Sequence, residues 1–119
     1  MKKILYVEDH RDTAEAVKQM LEDAGYEVEI SFCGADGLEK THKKQFDLVL
    51  LDVMLPDMSG WDIFKTLSSK KYDSKYAFLS VIPISTERMK EFKKVGISDY
   101  ITKPFTKKDL VERVKKILK

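Results

Sequence analysis

The stretch Leu48-Val49-Leu50-Leu51-Asp52 decides the fold. Four consecutive apolar residues leave neither face of a strand for water. That is the mark of a strand buried on both sides in a parallel sheet; a half-solvated antiparallel strand would alternate. Four more short runs share its character: Ile4-Leu5-Tyr6-Val7, Val28 to Phe32, Ala77 to Ile82, and Tyr100-Ile101. Between them the apolar residues change to helical spacing. Ala14, Val17, Leu21 and Ala24 repeat at three and four, as do Leu110, Val114 and Ile117, and more weakly Met89, Phe92 and Val95. Gly25 and Gly96 stand where helices should end in the left-handed conformation. Asp12 with Glu15, Ser59 with Asp62, and Thr106 with Asp109 form capping pairs where helices should begin. Strand and helix thus alternate five times, and the expected fold is α/β, a doubly wound five-stranded parallel sheet with helices on both faces.

A chain of 119 residues, 43% of them hydrophobic, suffices for one domain with its own core and no disulfide or metal staple. The 22 Lys and Arg nearly balance the 20 Asp and Glu, leaving a net charge of +2. That excludes a bulk polycation, and direct nucleic-acid binding is not expected. One cysteine, Cys33, excludes an intramolecular disulfide and a Cys-cluster zinc site and suits a reducing compartment. No apolar run approaches the roughly 18 residues of a membrane span, and Met1-Lys2-Lys3 leads straight into a strand-like run, so a cytoplasmic location away from membranes is expected. Residues 85–119 hold 11 Lys and Arg against 5 Asp and Glu, which makes the C-terminal third basic. Two readings stand for it: a solvated pair of helices, or a docking surface for an acidic partner. Ser68 to Lys75 reads as a surface loop.

In doubly wound sheets, ligands bind at the carboxyl ends of the strands beside a switch in strand order. The first strand ends in Glu8-Asp9, the third in Asp52 and the fourth near Ser80, and the fifth is followed by Lys103-Pro104. Three carboxylates, a hydroxyl and an ammonium thus meet on one rim. Two unit charges about 4 Å apart repel by roughly 4 kcal/mol at an effective dielectric of 20. The carboxylates therefore need a cation, or some of them must hold a proton. Few hard oxygen donors suit Mg²⁺, which keeps several waters and favours carboxylates together with phosphate oxygens. Mg²⁺ with Lys103 forms a pair able to neutralise a transferring phosphoryl group, and a carboxylate nucleophile would then yield an aspartyl phosphate.

Three segments, in order and in the right strand context, carry a family resemblance: Glu8-Asp9, Asp52-Val53-Met54-Leu55-Pro56-Asp57-Met58-Ser59-Gly60, and Gly96-Ile97-Ser98-Asp99-Tyr100-Ile101-Thr102-Lys103-Pro104-Phe105. Over essentially its whole length the chain resembles a two-component response-regulator receiver domain, the CheY-like family. The resemblance implies strand order 2-1-3-4-5 and a single receiver domain over residues 1–119 without an output domain. It implies Asp52 as phosphoacceptor and one Mg²⁺ held by Asp9, Asp52 and the backbone carbonyl of Met54, with Glu8 acting through a water. Lys103 would contact the phosphoryl group, the Lys103-Pro104 bond would be cis, and Ser80 and Tyr100 would be the switching hydroxyl and aromatic. The implied function is a signalling switch and not an enzyme in its own right: a sensor histidine kinase or phosphotransfer protein phosphorylates Asp52. The surface of the fourth helix, fifth strand and fifth helix then controls a protein partner on the basic 85–119 face, as a monomer or a phosphorylation-dependent dimer.

Ser80 lies one residue further from Lys103 than the family's usual spacing. An ungapped match would put Val81 at the switch position, and Ser85 and Thr86 are rivals. Ser80 is preferred because it closes the apolar run Ala77-Phe78-Leu79, which leaves the extra residue and Pro83 to the following loop. Met54 and Ile82 are apolar where receivers can carry groups that orient a hydrolytic water, so slow self-dephosphorylation is expected. Trp61, Phe64 and Leu67 read as core and its margin, Cys33 as a small buried hydrophobe, and His10 and His42 as surface residues. Met89 and Phe92 fit either core or partner contact, and Tyr100 fits a switch or a plain strand aromatic. Other classes fare worse. A haloacid-dehalogenase-like phosphatase needs an Asp where Met54 stands, and a flavodoxin-like cofactor site would be repelled by Glu8-Asp9-His10-Arg11-Asp12. The alternative reading is a receiver-like interaction module that acts without phosphorylation.

Overall fold

The computed structural model describes residues 1–70 and 73–119. Lys71 and Tyr72, within the loop expected over Ser68 to Lys75, lie outside the described residues. Five strands, β1 (Lys3–Val7), β2 (Glu27–Ser31), β3 (Leu48–Leu51), β4 (Lys75–Ser80) and β5 (Ile97–Thr102), form one parallel sheet in the order β2-β1-β3-β4-β5. Five helices connect and follow them: α1 (Arg11–Asp23), α2 (Gly34–Lys43), α3 (Gly60–Ser68), α4 (Thr86–Val95) and α5 (Lys107–Ile117).

The continuous apolar runs work because both faces are covered. Leu48 and Leu50 join Ala14, Val17 and Leu21 of α1 and Leu110 and Val114 of α5. Val49 and Leu51 turn the other way, to Ile63, Phe64 and Leu67 of α3, with Leu38, Met89 and Phe92 packed alongside. Met89 and Phe92 thus contact the core while half-exposed, and no residue of α4 is fully buried. A register irregularity between Tyr76 and Ala77 leaves Ser98 as an extra residue in β5. It resets the alternation, so that Ile97 and Tyr100, three apart, face the same layer.

Some expectations need correction at their edges. β4 begins at Lys75, two residues before the apolar run, and ends at Ser80 as expected, so the last two residues of the run, Val81 and Ile82, are exposed loop residues. β2 spans Glu27–Ser31, without Phe32, and β5 extends on both sides of Tyr100-Ile101. Helix α1 is capped by His10 and not by Asp12: its side chain accepts from the Thr13 N–H, with Nδ1 2.7 Å from Thr13 Oγ1. His10 stands at the position just before the helix, from which a side-chain acceptor reaches the free amides of the first turn, whereas Asp12 is already the second residue of α1. Cys33 is half-buried at the N-cap of α2 and makes no side-chain cap hydrogen bond. Ser59 and Thr106 cap α3 and α5 through the N–H groups of Asp62 and Asp109, and Gly25 and Gly96 have φ of 98° and 110°. Among the described residues, no helix is long and apolar enough to cross a membrane.

Candidate functional site

The site is built at the carboxyl ends of β1, β3, β4 and β5, where the order turns from β1-β2 on one side to β3 on the other. Glu8 leaves β1 with its N–H donated to the Ser31 carbonyl at 2.9 Å, and Asp52 leaves β3 with its N–H on the Val7 carbonyl at 3.0 Å. These bonds carry the ladder one residue past each strand and aim both side chains over the sheet. Glu8 is 1% exposed, Asp52 is 9% exposed, and Asp9 lies open to solvent. Each offers a carboxylate oxygen within 4.8 Å of the others.

Lys103 enters from the end of β5. Its N–H donates to the Ser80 carbonyl at 2.7 Å, the Lys103-Pro104 peptide is cis, and its ammonium donates to Glu8 Oε1 and, at 3.4 Å, to Asp52 Oδ2. Burial pushes Glu8 up, but the Lys103 ammonium, the His10 N–H and the Tyr6 hydroxyl together hold it below its ordinary value. Asp52 goes the opposite way. Burial, and then the Glu8 carboxylate beside it, push it up to about 6 against the partial relief of Lys103 and the Met54 N–H. One ammonium thus serves two carboxylates and satisfies mainly one, which leaves Asp52 short of positive charge.

Tyr6 was not singled out by sequence. Fully buried in the sheet, its hydroxyl donates to Glu8 Oε1 at 2.9 Å. Burial, and after it the charge on Glu8, drive its own ionisation far up. The available signal was spacing: Tyr6 and Glu8 are two apart, so an extended backbone puts them on one face.

Ser80 ends β4, is 1% exposed, and accepts from the Ile82 N–H at 3.1 Å through Oγ. Ser85 is engaged elsewhere as the N-cap of α4, accepting from the Arg88 N–H, and Thr86 is the first residue of that helix. Val81 to Ser85 form the connection from β4 to α4. Tyr100, 7% exposed, donates its hydroxyl to the Ile82 carbonyl and stacks on Phe92 at 6.1 Å. Strand end, loop and aromatic are therefore tied at one residue, Ile82. The loop after Asp52 is also fastened. Met54 N–H donates to Asp52 Oδ1 at 3.2 Å, Met54 bridges to Ser59, and a Cβ on Gly60 would meet the Asp52 carbonyl oxygen at 2.2 Å.

Hard oxygens from three carboxylates, one of them deprived of a full counter-charge, fit a small divalent cation. A five-stranded doubly wound sheet with acids after β1 and β3 and a lysine after β5 defines a class of protein, and comparison with known proteins identifies the family. The response regulator receiver domain family matches residues 4–115. The chain is 36% identical over 119 residues to the transcriptional regulatory protein PcoR of Escherichia coli, covering all of this chain and 52% of that protein. In structure it is similar to the chemotaxis response regulator CheY4 of Vibrio cholerae, with a TM-score of 0.90, 32% identity and 99% of each chain covered. It is also similar to a CheY-like receiver domain protein from Methanospirillum hungatei, with a TM-score of 0.88, 34% identity, and 99% and 94% covered. The chain belongs to the response-regulator receiver domain family. It spans about half the length of the curated relatives it matches.

Proposed function

We propose that the chain is a phosphorylation-controlled switch in which Asp52 accepts a phosphoryl group from the phosphohistidine of a sensor histidine kinase or phosphotransfer protein. The observation that carries this reading is the shared ammonium of Lys103, which touches both Glu8 and Asp52 while Asp52 remains under-neutralised. In the transfer, an Asp52 oxygen attacks phosphorus and the P–N bond breaks. The bonding pair stays on the imidazole nitrogen, which takes up a proton, and an acyl phosphate results. Asp9, Asp52 and the Met54 carbonyl would hold Mg²⁺, with Glu8 reached through a water, and the ion would supply charge to the phosphoryl oxygens. Tyr6 and the His10 N–H keep Glu8 ionised and oriented. Lys103 shifts from Glu8 toward the new dianion, and the Ser80 hydroxyl turns from accepting the Ile82 N–H to donating to phosphate.

Leaving Ile82 loosens the carbonyl that Tyr100 holds, and Phe92 stacked on Tyr100 passes the change to α4. The charge change biases two arrangements of the α4–β5–α5 surface. The basic 85–119 face then meets an acidic protein partner or a second phosphorylated copy.

The test is intact mass after incubation with acetyl phosphate and Mg²⁺. One phosphoryl adduct is expected, absent in Asp52→Asn and after chelation. No adduct and no Mg²⁺ binding would overturn the reading in favour of an interaction module that acts without phosphorylation.

A further inference from the structure

Helix α2 begins badly on its own. Its N-cap is Cys33, whose thiol makes no cap hydrogen bond, so the first amides need acceptors from elsewhere. They find one across more than twenty residues of chain. Asp57 Oδ1 accepts from the Gly34 N–H at 2.8 Å and Oδ2 from the Ala35 N–H at 2.9 Å. These two N–H groups, Ala35 first and then Gly34, hold the Asp57 carboxyl below its ordinary value. Beside them Met58 lies so close on Gly34 that a Cβ there would meet Met58 Cγ at 2.4 Å.

The carboxylate belongs to the loop that starts at Asp52 and carries Met54. At its base that loop is closed by the Gly60 N–H on the Val53 carbonyl at 2.9 Å and by the Met54–Ser59 bridge. Its far side, Leu55 to Met58, is fastened to the body of the protein by Asp57 and Met58 on α2. Met54 is itself a residue of the basal bridge, and the chain runs from it to the second fastening at Asp57.

We propose that Asp57 is a positioning residue: by capping α2 from the loop, it fixes the Met54 carbonyl where a divalent cation on Asp9 and Asp52 needs its third protein oxygen. This rests on the phosphoreceiver reading above. A cap supplied by a distant loop joins two elements, whereas a cap supplied by the helix's own first residue stabilises only the helix. That difference gives the test.

Mg²⁺ affinity, followed by Trp61 fluorescence and by thermal shift, is compared in the wild type, Asp57→Ala, Cys33→Ser and the double variant. A serine at position 33 gives α2 its own cap. Asp57→Ala is expected to weaken Mg²⁺ binding about tenfold, the low end for groups that hold a ligand in place, and to lower thermal stability. The double variant regains the stability but keeps the weak binding. Where Asp57 is present, in the wild type and in Cys33→Ser, Mg²⁺ slows amide exchange at Gly34 and Ala35, as coupling between the two places requires; in Asp57→Ala and the double variant it does not. Unchanged affinity in Asp57→Ala, or recovery of affinity along with stability in the double variant, would reduce Asp57 to a helix cap and overturn the proposal. A wild type that binds no Mg²⁺ would remove the phosphoreceiver reading itself, and the proposal with it.

Discussion

Replacing Lys103 with Met tests the electrostatic core of the site. The substitution keeps the aliphatic stem and removes the ammonium that touches both Glu8 and Asp52. At 3.4 Å and an effective dielectric of 20, the Lys103–Asp52 attraction alone has a gross size of about 5 kcal/mol. Desolvation of the ammonium, which is 15% exposed at the side chain, offsets part of it. Removing one partner of a buried pair costs about 3–5 kcal/mol because it strands the other charge; with two carboxylates stranded and some exposure remaining, about 3 kcal/mol is expected at pH 7 without Mg²⁺. The pH dependence has a definite sign. Asp52 already titrates near 6 in the folded protein against 3.8 for an ordinary Asp. The folded state therefore binds more protons than the unfolded chain in that window, and stability rises as pH falls through it. Loss of Lys103 raises the folded value further, so the deficit of the variant should shrink between pH 7 and pH 5. Mg²⁺ should stabilise the variant more than the wild type; for either protein the gain is about 2.7 kcal/mol at a hundredfold excess over its own dissociation constant. Urea denaturation at pH 5 and 7, with and without Mg²⁺, reads all three effects. An equal deficit at both pH values and no extra rescue would refute the view that Lys103 serves as the counter-charge of the pair.

Asp52→Asn should raise metal-free stability at pH 7 relative to pH 5, since it deletes the carboxylate whose ionisation burial opposes; denaturation midpoints at the two pH values check this. Tyr6→Phe strips Glu8 of a donor inside the core and should cost about 1 kcal/mol, with weakened Mg²⁺ binding visible by thermal shift. Phosphorylated protein should lose its adduct over many minutes and not seconds, because the side chains at Met54 and Ile82, 65% and 39% exposed, offer no group to orient water; release of inorganic phosphate measures it. Changing Lys90, Lys93, Lys94 and Lys107 to Glu should abolish capture of the output partner by phosphorylated protein while leaving the mass adduct of Asp52 intact.

How far the sequence could be read depended on how local each feature is. Leu48 to Leu51 announces a doubly buried strand because burial on both faces is written in four adjacent residues, and the acids after β1 and β3 follow from where such strands end. Ser59 and Thr106 were legible as caps because each bonds an amide three residues on. Where two acceptors stand at one helix start, as His10 and Asp12 do at α1, spacing alone does not choose between them, and the fold uses the imidazole. The end of β4 was legible by its hydroxyl more than by its apolar run: Val81 and Ile82 are as apolar as the strand, yet pairing with β5 ends at Ser80 opposite Thr102. Least legible were the contacts made across long stretches of chain. Only the folded chain shows that Cys33 is the N-cap of α2 without a cap hydrogen bond, and that the loop after Asp52 provides the acceptor through Asp57. In this protein the residues of the candidate site can be read from strand ends. The residues that hold them in place are scattered, because positioning requires joining elements that folding alone brings together.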